Sequence, residues 1–279
     1  MTDKDQAMQA ERTTVQMNIG LARAAYEIGK KETAFEALKK NIEKHQTNPY
    51  SSDITYMLMG QLFLKENDSL NAKKYLNLAL RTAESFYEKG KHPTLGEIYF
   101  SLAESQFLAN NYNAALQFIN NSYFALYNTS GAVNIEDIQN ISNRNILLKA
   151  VELEAEIWRK KGELKKAYDI IFKAARITDN MRLAFKTEGS KLFIQLKVIP
   201  IYEKALEIAL ELNNKKNDPK LLEEGFMLSE KSKSMLLLDA FKTEDARKFG
   251  DVPESLLKEE RRLNRELAKK SKQLYEAQS

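Results

Sequence analysis

Residues 57–76 read MLMGQLFLKENDSLNAKKYL, and two small residues within them, Gly60 and Ala72, stand twelve positions apart. Apolar residues recur at helical spacing on both sides of Glu66-Asn67-Asp68, a polar triplet suited to a turn. Glycine inside a helix costs about 1 kcal/mol. Gly60 therefore suits a point where a neighbouring backbone leaves no room for a side chain. The same twelve-residue spacing separates Ala22 from Ala34, Ala103 from Ala115 and Ala155 from Ala167. A helix–turn–helix unit used four times predicts an all-α repeat array of antiparallel helix pairs.

The units are expected at about 14–48, 52–92, 94–131 and 136–185, with a stretched fifth at 189–241. In the first, Leu21, Ala25 and Ile28 form the apolar face before a turn at Gly29-Lys30-Lys31. Ser52 or Asp53 is the expected cap of the second unit. Thr94, after His92-Pro93, is the expected cap of the third. The fourth carries Trp158 and turns at Lys161-Gly162-Glu163. In the fifth, Pro219 suits a first helical turn. Pro200 removes an interior hydrogen bond and predicts a kink or break near 197–200.

This pattern resembles the tetratricopeptide repeat family. There, a small residue, an aromatic three or four further on, and a second small residue twelve on lock each hairpin. Phe63, Phe107 and Trp158 fill the aromatic role here. The first small residues lie 38, 43 and 52 positions apart (22 to 60, 60 to 103, 103 to 155), against a family period near 34. The surplus falls between hairpins and predicts a less regular array.

The resemblance implies a fold of stacked hairpins whose first helices line a concave groove. Positions three before, one after and four after the first small residue should face it. They give Arg23 and Tyr26, then Met57, Gln61 and Leu64, then Phe100, Glu104 and Phe107, then Glu152, Glu156 and Arg159. Such a groove suits a peptide or protein ligand with apolar anchors. The competing reading buries Met57, Phe100 and Phe107 against neighbouring helices. Some relatives grip a terminal carboxylate with Lys and Asn. The corresponding places here hold Ile19, Arg23, Leu58, Glu97 and Ser101, so that clamp is not expected.

Residues 223–241, EEGFMLSEKSKSMLLLDAF, and the later FGDVPESLL at 249–257 carry a second resemblance. They look like the bacterial junction where such an array leads into a CHAT domain, a caspase-like cysteine peptidase module. The resemblance implies that this chain is the recruiting or regulatory arm of a longer protein, without the catalytic His and Cys. The last segment, 247–279, places Leu256, Leu263, Leu267 and Leu274 at spacings of seven, four and seven. That seam suits either half of a coiled coil, hence a homodimer, or packing on the array or an absent domain.

Composition narrows the chemistry. The 279 residues contain no Cys and two His, which excludes disulfides and cysteine nucleophiles and leaves no paired imidazoles for a metal. The 43 basic and 39 acidic residues are interspersed, so no field aimed at nucleic acid is implied. No apolar run reaches membrane-spanning length, and the opening Met-Thr-Asp-Lys-Asp lacks a basic, apolar leader. A cytoplasmic, noncatalytic scaffold needing no cofactor is the expectation.

Overall fold

The computed structural model describes residues 3–44, 52–87, 90–128, 134–184, 188–216 and 218–227, with residue 230 and isolated positions between 255 and 270. Among the described residues up to 216, nine α-helices follow one another. They are α1 (Asp3–Glu27), α2 (Lys31–Lys44), α3 (Ser52–Lys65), α4 (Ser69–Phe86), α5 (Pro93–Leu108), α6 (Tyr112–Leu126), α7 (Arg144–Lys160), α8 (Leu164–Ala184) and α9 (Glu188–Lys216). Residues 219–227 are also helical. Among the described residues there is no strand, only an antiparallel bridge between Tyr127 and Ile141. The chain divides into two compact units, Met1–Ile157 and Trp158–Ser279. The predicted boundary at 246/247 lies outside the described residues, as does the predicted end of the first unit at 48.

The four hairpins turn by the same device. Gly29, Asn67, Asn110 and Gly162 all have left-handed backbones, with φ of 80°, 59°, 58° and 79°. Each lies seven residues after the first small residue and five before the second. Gly pays no steric penalty there, and Asn tolerates it best among the others. The following residue returns its N–H across the turn: Lys30 to Ala25, Asp68 to Phe63, Asn111 to Gln106 and Glu163 to Trp158, at 2.8–2.9 Å. These are Schellman closures, which satisfy carbonyls the helix end would otherwise leave bare. The second helix then starts from that same residue's carbonyl, which accepts from Ala34, Ala72, Ala115 and Ala167 in turn.

All eight small residues are buried. A Cβ on Gly60 would lie 2.6 Å from Leu76 Cγ and 3.1 Å from the Ala72 carbonyl oxygen. Gly96 makes a second close approach, its hypothetical Cβ falling 2.5 Å from Leu126 Cδ2. Ser122 fixes that crossing by donating its hydroxyl to the Gly96 carbonyl at 2.8 Å. Phe63 packs on Phe35 of the first hairpin at 4.9 Å and stacks on Tyr75 of its own at 5.5 Å. Asn41, fully buried on α2, donates to the Val15 carbonyl at 3.1 Å and accepts from Asn18 at 2.8 Å.

Four local expectations are corrected. The buried face of α1 is Val15, Ile19, Ala22 and Ala25, whereas Leu21 and Ile28 are 49% and 69% exposed. The α5 cap is His92 and not Thr94: its Nδ1 accepts from the Thr94 N–H at 3.2 Å, because Pro93, with no N–H, takes the first helical position. The fourth hairpin begins at Arg144, after a 3-10 turn at Ile138–Asn140. Asn143 sets that start, its side chain accepting from the Ile146 N–H at 3.2 Å. Finally, of the predicted kink or break the break is overturned: α9 runs unbroken through Pro200, which is itself exposed.

Within the second unit, α8 packs on α9, and Tyr202 donates to Asp179 at 3.0 Å. The 219–227 segment lies against α9, where a Cβ on Gly225 would sit 3.1 Å from Ala209 Cβ. Pro219 stands in its first turn.

Candidate protein-interaction face

Side chains one and four positions after the small residue touch from hairpin to hairpin. The Tyr26 hydroxyl donates to Glu66 at 2.5 Å, and Lys65 lies 4.6 Å over the Tyr26 ring. Lys65 also reaches Glu27 at 2.7 Å, and Lys31 reaches Glu66 at 2.8 Å. These exposed pairs contribute little to stability, yet they tie the end of α1 to the end of α3. Burial, followed by the Glu66 contact, pushes the Tyr26 phenol up to about 12. From α3, the Gln61 amide donates to Glu97 and to Ser101 Oγ on α5, both at 3.1 Å. The first helices of the first three hairpins thus share one continuous face.

The candidate groove residues divide on that face. Arg23 is exposed, while Tyr26, Gln61, Leu64, Glu104 and Phe107 are half-buried and present atoms to solvent. Met57 and Phe100, 2% and 6% exposed, are corrected to core: adjacent hairpins cover the position three before the small residue. Phe107 packs on Tyr112 at 5.9 Å across its own turn. Ile19, Leu58 and Ser101, at the places of a carboxylate clamp, are buried. Glu152 and Glu156 are half-buried on α7. Arg159 belongs to the second unit, where Glu211 holds its guanidinium through Nε at 3.1 Å and again through a terminal nitrogen. Glu207 adds a contact at 3.5 Å.

Glu104 differs from its neighbours. Burial pushes its carboxyl up to about 7, and Lys149 on α7 only partly opposes the shift. No side chain or backbone N–H among the described residues donates a hydrogen bond to it. Sequence reasoning placed Glu104 on the face but had no signal for its desolvation, nor for Lys149, forty-five residues on, as the charge opposing it. Gly96 was missed altogether, though a glycine inside an apolar helical run was the available clue. Among the described residues no group of His, Asp and Glu could hold a metal, and no helix is long and apolar enough to cross a membrane.

Hairpins locked by small residues, turned on a left-handed Gly or Asn and joined through their first helices, define an all-α tetratricopeptide-like repeat solenoid. No protein-family model and no curated protein matches the chain. Among solved structures it is similar to the nearly identical TPR-like repeats of a Podosopora anserina protein designated a kinesin light chain. One structure, of a point variant, matches at TM-score 0.55 and 13% identity over 80% of this chain and 97% of that one. The other gives the same score and identity over 79% and 97%. At that identity the likeness concerns the fold.

Proposed function

We propose that the chain is a noncatalytic scaffold that holds a peptide or protein partner along the face formed by α1, α3 and α5. The observation that carries this reading is the continuity of that face. Tyr26 meets Lys65 between the first and second hairpins, and Gln61 meets Glu97 and Ser101 between the second and third, while Leu64 and Phe107 leave apolar atoms open on the same helices. An extended or helical peptide needs such a surface, polar for register and apolar for anchorage. A Leu64→Ala, Phe107→Ala double variant should lose partner capture while keeping its helical circular dichroism. Equal capture by the double variant would remove the reading.

In a longer parent protein this arm recruits substrate to, or regulates, a C-terminal CHAT peptidase module. That rests on the resemblance at 223–257, most of which lies outside the described residues. Sequencing the native reading frame past Ser279 decides it. A continuation containing a His and a Cys supports the module, and a stop codon removes it. The second reading is a stand-alone adaptor that self-associates through its last helix. Leu256 and Leu263, 60% and 45% exposed, favour it; Leu267 and Leu274 lie outside the described residues. A sedimentation weight that stays monomeric at high concentration would exclude it.

A further inference from the structure

We propose that the half-buried Glu104 on α5 engages a basic side chain, lysine or arginine, of the bound peptide, with its carboxylate as the counter-charge. This deepens the inner-face reading and rests on it. Glu97, Ser101 and Glu104 follow one stripe of α5 at spacings of four and three. Glu97 and Ser101 are already engaged, since both accept from the Gln61 amide. Glu104, about 10 Å further along the helix than Glu97, has no donor among the described residues. Lys149 acts on it as a charge without forming an ion pair.

A half-buried carboxylate with no donor is a costly arrangement unless something completes it. A neutral donor would supply a hydrogen bond but leave the desolvated charge in place. A cationic side chain supplies both. Glu97, of the same sign on the same stripe, adds to the attraction for a cation, and Lys149 opposes it in part. Phe107, three residues beyond Glu104 and half-buried, offers apolar surface for the aliphatic stem of lysine or arginine. This part of α5 is therefore complementary in charge to a basic residue, with apolar surface beside it for a flanking apolar one.

The test is to pan a random linear-peptide display library against the full chain and map the selected peptides by amide chemical-shift changes. Peptides that perturb α3 and α5 should be enriched in lysine or arginine. Glu104→Gln should weaken them about tenfold without lowering thermal stability. Glu104→Lys should instead accept a peptide whose basic residue is replaced by glutamate. Peptides that map to this face but lack a basic residue, or that bind Glu104→Gln as well as the parent, overturn the proposal and leave the inner-face reading standing. Selected peptides that map to the second helices, or a library that yields no binder, overturn both.

Discussion

The helices α1 and α5 both open a hairpin, and both carry apolar residues on more than one side, yet they are buried very differently. On α5, nine residues are buried, including Leu95, Ile98, Phe100 and Leu102. On α1, Val15, Ile19, Ala22 and Ala25 are buried, while Met17 and Leu21 stand 69% and 49% exposed, and Ile28, just past its end, 69%. The difference lies in the neighbours. The helix α5 packs on α3, α4 and α6, whereas α1 packs chiefly on α2. Place in the stack, more than apolar content, decides what a helix buries.

Substitution can break or sharpen this contrast. The largest effect should come from Leu102→Ala, which opens a cavity at a fully buried site and should cost about 2–5 kcal/mol in chemical denaturation. Next, Gly96→Ala should cost about 1–3 kcal/mol, because its Cβ would press on Leu126. If the melting temperature were unchanged, the close crossing of α5 and α6 would be wrong. By contrast, Gly20 on α1 has nothing within 4 Å of a hypothetical Cβ. Gly20→Ala should therefore stabilise by about 0.5–1 kcal/mol through helix propensity. Smallest of all, Leu21→Gln should change stability by less than about 0.5 kcal/mol.

The pH dependence sharpens the contrast on the buried side, with two groups of opposite sign. Glu104 titrates near 7 in the fold against an ordinary 4.5. The folded state therefore holds its proton more tightly, and stability falls as pH rises between those values. His92 is held below its ordinary 6.5, chiefly by burial, with Asp53 opposing the shift. Its neutral ring stacks on Tyr87 at 3.7 Å and caps α5, so stability falls as pH drops below 6.5. Glu104→Gln should raise the melting temperature at pH 8 and leave it nearly unchanged at pH 4.5. His92→Asn should flatten the acid limb alone. An unchanged alkaline limb in Glu104→Gln would assign the loss to another group.

Much of the fold was legible in residues 57–76 because hairpin formation is local. Gly60, Ala72 and the turn between them fix two helices through sequence neighbours alone. What escaped depends on distant chain. The phase of α1 was misread because Leu21 and Ile28 satisfy helical periodicity as well as Ile19 and Ala22 do; only the packing of α2 and α3 chooses between them. For Met57 and Phe100 the sequence left groove and core both open, because the elements covering them are not visible from their own helices; burial decides for core. Pro200 looked like a break because propensity says nothing of which side of α9 meets solvent. On the candidate site, spacing identified Tyr26, Gln61 and Glu104 as sharing a face, but not the missing donor at Glu104.

The recurrence of one left-handed residue at a constant offset, at Gly29, Asn67, Asn110 and Gly162, has a further consequence. Since each turn is closed by its own backbone, a hairpin can be copied, deleted or exchanged whole without altering how its two helices meet. The spacing from one first small residue to the next varies, at 38, 43 and 52, while the twelve residues across each elbow do not. The chain can lengthen at its joints while the elbow stays the same, and in that sense its architecture is written in hairpins rather than residues.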